Sequence, residues 1–81
     1  MNKADFEIKA IVAGASQKEM LDFESVFKQA SGYPLESPLV DDNFLKTQGP
    51  SIAVACKALL AAKLPMDGAN RILDVFESYC R

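Results

Sequence analysis

The stretch that decides the fold is Ser51-Ile52-Ala53-Val54-Ala55-Cys56-Lys57-Ala58-Leu59-Leu60-Ala61-Ala62-Lys63-Leu64. Its large apolar residues, Ile52, Val54, Leu59, Leu60 and Leu64, are spread around the whole circumference of a helix, and alanines fill the gaps. A helix apolar on every side is normally surrounded by other elements, and small side chains let those neighbours come close. Lys57 and Lys63 can carry their charged ends to water from a buried stem. The expectation is an all-α bundle of four to five short helices packed around this central Ala-rich helix, 51–64; if the helix is not central in the monomer, it is an oligomer interface.

The flanking segments fit that frame. Downstream, Leu64-Pro65-Met66 breaks the chain and Asp67 can cap a last helix running to Arg81, with Ala69, Ile72, Leu73, Phe76, Tyr79 and Cys80 on one face. Upstream, Gln48-Gly49-Pro50 reads as a stop. Before it, Ser37 and Pro38 open a short helix over Pro38–Thr47 that carries Leu39, Val40, Phe44 and Leu45. Ser16 with Glu19 three positions later forms a capping box, and Met20, Phe23, Val26, Phe27 and Ala30 follow at helical spacing up to Gly32. The first segment, Lys3–Ala13, has two readings. As a helix it aligns Ala4, Ile8, Ile11, Val12 and Ala15 and turns Phe6 away. As a strand it aligns Phe6, Ile8, Ala10 and Val12. Its alanines and the Gly14 stop favour helix, and an α+β fold with one N-terminal strand is the alternative.

Eighty-one residues make one small domain, 1–81. Hydrophobic residues are 49% and charged residues 25%, an ordinary globular composition. Charged residues continue through Lys9, and the apolar run that follows is too short for a signal peptide; the 51–64 stretch is too short to span a bilayer. A cytoplasmic protein without membrane attachment is the expectation. Cys56 and Cys80 lie within apolar helical patterns and read as free thiols buried as small hydrophobes, with a single disulfide between the last two helices as the alternative.

Composition excludes much chemistry. The chain has no His, so the commonest general base and the commonest transition-metal ligand are missing. Asp41 and Asp42 are adjacent and diverge on a helix, which makes them first-turn charges and not a catalytic pair. The four glycines stand singly at helix boundaries, so there is no phosphate-binding loop. No catalytic residue, metal ligand or cofactor site is expected, and the chain reads as no enzyme.

What remains is recognition. Phe6, Leu21, Leu35, Leu39 and Val75 fall outside the tidy helical stripes and are the candidate partner-binding residues. The expected function is a non-enzymatic interaction module: a small adaptor, inhibitor or regulatory subunit. It resembles in type the small phage or plasmid products that block a host protein. Its partner would be another protein or a second copy of itself. The alternative is a dimeric DNA-binding regulator. In one version, 51–64 and the last helix form a helix-turn-helix. In the other, the first segment is the strand of a ribbon-helix-helix dimer, where Ala30-Ser31-Gly32-Tyr33 resembles the turn between the two helices of such repressors. A net charge of −2 and the absence of clustered Arg weigh against nucleic acid.

Overall fold

The computed structural model describes all 81 residues. It contains four helices and no strand: α1 (Lys3–Val12), α2 (Gln17–Ser31), α3 (Asp42–Leu60) and α4 (Met66–Ser78). Helix α4 packs against each of the other three, and α2 also packs along α3. The whole is an all-α bundle measuring 30 × 24 × 19 Å around one cluster of 18 buried residues.

Local chemistry starts each helix. Asn2 caps α1, its side-chain oxygen accepting from the amides of Ala4 and Asp5 at 2.8 and 3.2 Å. The first segment is therefore helical, and the N-terminal strand alternative is excluded. The capping box on α2 forms as read: Ser16 Oγ accepts from the Glu19 amide, and the Glu19 carboxylate accepts from the Ser16 amide. Gly32 ends α2 at φ 82°, a left-handed turn that a side chain would strain.

Three boundaries differ from the sequence reading. The helix expected over Pro38–Thr47 begins instead at Asp42. Asp41 is its cap, accepting from the Phe44 amide at 2.8 Å, while Ser37 closes a turn ahead of it by accepting from Leu39. Helix α4 starts at Met66 without a side-chain cap, so Asp67 lies in its first turn, where its charge suits the helix dipole. The helix ends at Ser78, short of Arg81.

The largest difference is at Gly49-Pro50, which does not stop the chain. Helix α3 runs through it from Asp42 to Leu60. The steric block that proline imposes on the preceding residue acts partly through that residue's Cβ, and Gly49 has none. Thr47 Oγ1 donates to the Asn43 carbonyl at 2.8 Å one turn ahead of the proline. Leu45, Gly49, Ile52, Ala53, Cys56 and Leu60 then form one continuous buried stripe across it. Burying that stripe outweighs the single backbone bond that Pro50 cannot donate.

The stripe also corrects the expectation of a central 51–64 helix. Only one face of this segment is buried. Ala55, Lys57, Ala58, Ala61 and Ala62 are exposed, and Val54 is 73% exposed. The segment forms an outer wall. Helix α4 packs on α1, α2 and α3, and buries Gly68, Ala69, Ile72, Leu73 and Phe76.

An aromatic cluster joins α1, α2 and α4. Phe23 stacks on Phe6 with centroids 5.3 Å apart and lies 5.2 Å from Phe76 and 6.1 Å from Phe27. Phe27 meets Phe76 edge-on at 5.6 Å. The ion pair from Arg71 to Glu19, at 2.9 Å, ties α4 to the start of α2.

Candidate interaction surface

Helix α1 is attached by its smaller apolar face. Phe6 and Ala10, one turn apart, are its only buried residues. Of Ala4, Ile8, Ile11, Val12 and Ala15, the set aligned on one face in the sequence, all but the half-buried Ala15 are exposed. Ile8 is 61% exposed, Ile11 59% and Val12 83%. The helix is therefore turned roughly half a revolution from the orientation in which its larger stripe would be inside. The cause is Phe6, whose ring alone among α1 side chains can join the Phe23 stack, with the Tyr79 ring 6.3 Å away. Ala10 is small enough to let α1 lie close against α4.

The same rotation places the polar residues of α1. Lys3 pairs with Glu24 at 2.9 Å. The Tyr79 hydroxyl donates to Asp5 Oδ2 at 2.5 Å, and Lys9 Nζ lies 3.3 Å from the same carboxylate and 4.5 Å from the Tyr79 ring centroid. The hydrogen bond from Tyr79, and then that from Lys9, hold the Asp5 carboxyl below its ordinary range. Burial first, and the hydrogen bond to Asp5 second, push the Tyr79 phenol up. The Asp5–Lys9 pair borders the exposed apolar stripe on one side and Glu7 borders it on the other.

Of the five residues singled out as partner-binding, the structure leaves Leu21 and Leu39 exposed, at 56% and 61%. Val75 is half-buried against the core. Phe6 and Leu35 are corrections: both are fully inside, Phe6 in the aromatic stack and Leu35 in the loop between α2 and α3. Neither can touch a partner while the protein is folded. The residues missed were Ile8, Ile11 and Val12. Their shared face is visible in the spacing, which turns Phe6 away from it and does not say which of the two faces is inside.

Elsewhere, a depression of about 300 Å³ between α3 and the end of α4 is lined by Pro50, Ala53, Val54, Glu77, Cys80 and Arg81. Both cysteines are free. Burial pushes the Cys56 thiol up to about 12 and raises Cys80 as well, with the nearby Glu77 charge adding to it. Because the thiolate is the reacting form, Cys56 in the native protein should resist iodoacetamide at neutral pH, while half-buried Cys80 is modified first. Peptide mapping of the labelled chain checks the order, and equal labelling of both thiols would contradict the burial of Cys56.

No group of three or more His, Cys, Asp or Glu is placed to hold a metal ion. No helix is long and apolar enough to cross a membrane. The DNA-binding geometries fare unequally. A ribbon-helix-helix requires a strand where α1 is helical. In the helix-turn-helix version, α4 would be the recognition helix, but its Arg71 is held by Glu19, and its exposed positions include Asp67 and Asp74. No protein-family model, curated protein or solved structure matches this chain.

Proposed function

We propose that this chain is a non-enzymatic interaction module of the adaptor, inhibitor or regulatory-subunit kind, working in the cytoplasm, and that it docks through the outward face of α1. The observation that carries the reading is the solvent exposure of Ile8, Ile11 and Val12 on a helix of ten residues. Single exposed aliphatic residues are ordinary surface content. Three in neighbouring positions on one short helix form a contiguous strip, the arrangement by which an amphipathic helix enters an apolar groove.

Chemistry elsewhere in the chain adds to this reading. The His-free composition offers no general base of the usual kind. Glu7 at one edge of the strip favours a basic rim on that side of a groove, while the Asp5–Lys9 pair closes the other edge.

The test is paired affinity capture from the native cell extract, using the wild-type chain and the double variant Ile8→Asp, Ile11→Asp. Both positions are exposed, so the variant should keep its helical circular dichroism and its urea midpoint to within about 0.5 kcal/mol of stability. It should lose a protein that the wild type retains, or, if the partner is a second copy, lose a light-scattering dimer. Identical captured proteins and identical mass for the two chains would refute docking through α1.

A further inference from the structure

We infer that α1 is a detachable strap: it opens as a unit while α2, α3 and α4 remain folded, and opening uncovers the Phe23 and Tyr79 rings. The helices are unequally held. Helix α2 buries Met20, Phe23, Val26 and Phe27, and α3 and α4 bury longer stripes, whereas α1 buries only Phe6 and Ala10. Its remaining aliphatic residues, Ile8, Ile11 and Val12, already face water, so the apolar surface that undocking exposes centres on the Phe6 ring, the Ala10 methyl and the parts of Phe23, Tyr79 and α4 that they cover.

Beyond the partly buried Met1 and Ala15 at its two ends, the other attachments are polar and lie at or near the surface. They are the Lys3–Glu24 pair, the Asp5–Tyr79 hydrogen bond with Lys9 over the Tyr79 ring, and the N-terminal ammonium donating to the Val40 carbonyl at 3.2 Å. Exposed contacts of this kind are individually weak because water competes for both partners. The connection to α2 suits a hinge. Gly14 sits at φ 92°, Ala13 and Gly14 are exposed, and α2 carries its own capping box, which does not depend on α1.

Segments with few buried apolar contacts open at lower free energy than the core and do so as contiguous units. When α1 leaves, the Phe23 and Tyr79 rings lose the cover that Phe6 provides. The inference does not depend on the outer face of α1 having a partner. A docking face on α1 and a low opening energy of α1 are read by different measurements.

The experiment is native-state hydrogen exchange on the intact chain, wild type and Tyr79→Phe. That substitution keeps the ring beside Phe6 and Lys9 and removes only the hydroxyl bound to Asp5. In the wild type, amides within Phe6–Val12 should exchange at least about 30-fold faster than those of Phe23–Phe27 and Ile72–Phe76, after correction for intrinsic rates. Tyr79→Phe should speed α1 by a further roughly 3- to 10-fold and leave the α2 and α4 core amides unchanged. Equal protection of α1 and α4, an equal acceleration of every helix, or no response of α1 to the variant would each overturn the strap.

Discussion

Phe23→Ala should leave the chain largely unfolded at room temperature. Phe23 is the one ring in contact with three others, stacked on Phe6 and tilted against Phe27 and Phe76, and it is fully buried. Truncating it removes a large apolar transfer term. It also leaves a cavity lined by rings from three helices that cannot all close inward together. Phe-to-Ala changes at such sites cost about 3–5 kcal/mol. A domain of this length has a total stability of roughly 4–12 kcal/mol at usual per-residue values, and small cores sit toward the lower part of that range. The loss is therefore comparable to the whole. Urea titration followed by circular dichroism at 222 nm should show no native baseline, or a midpoint moved close to zero denaturant. A change of less than about 1 kcal/mol would mean that the aromatic cluster is not the keystone of the packing.

Pro50→Ala should act in the opposite direction and stabilise the protein by about 1–2 kcal/mol. Proline within a helix lacks the amide that would bond to the carbonyl one turn back, here that of Lys46, and its ring crowds the same carbonyl. The intrinsic penalty relative to alanine is about 3 kcal/mol. Part of it is not recoverable, because the unfolded chain gains freedom when proline is removed, worth roughly 0.4–1 kcal/mol. Pro50 is exposed, so its ring contributes little to the core. The urea midpoint should rise with an unchanged slope. A fall in stability would show that α3 needs the bend or the ring at this point to keep its stripe on the core. Gly49 must stay in place in this experiment, since a methyl group there would collide with the sulfur of Cys80.

These two substitutions mark how differently parts of the fold were legible. Helix α2 could be read directly from its residues, because its start, its stripe and its stop are all local: Ser16 with Glu19, the spacing of Met20 through Phe27, and Gly32. The course of α3 could not. Glycine followed by proline is a strong local stop, and only the burial of a stripe spanning both sides of it overrides the signal. Sequence proximity shows that Leu45 and Cys56 would share a face if the helix continued. It does not show that α2 and α4 are both waiting on that face.

The candidate surface was half legible for a similar reason. The alignment of Ala4, Ile8, Ile11 and Val12 is plain from spacing alone, but spacing does not say which side of an amphipathic helix is inside. Counting apolar residues would put the larger face inward. A single aromatic ring at the right place on the other face counts for more, because its stacking partners Phe23 and Tyr79 come from α2 and from the end of α4, far away in the chain. The same limitation misplaced Leu35, a loop residue that lacks helical spacing and is nonetheless fully buried.

By itself, then, the sequence determined what depends on near neighbours: a mainly helical chain, the caps that start α2 and the glycine that ends it, and the lack of His that removes the usual acid–base chemistry. Tertiary structure decided which apolar faces are used, that the Ala-rich segment forms a wall, that α4 packs on all three other helices, and that α1 shows its larger aliphatic face to water. Caps and periodicity act over one or two turns, whereas the choice among faces is a competition for a shared interior. It is won by the arrangement that buries the most ring and branched-chain surface across the entire bundle.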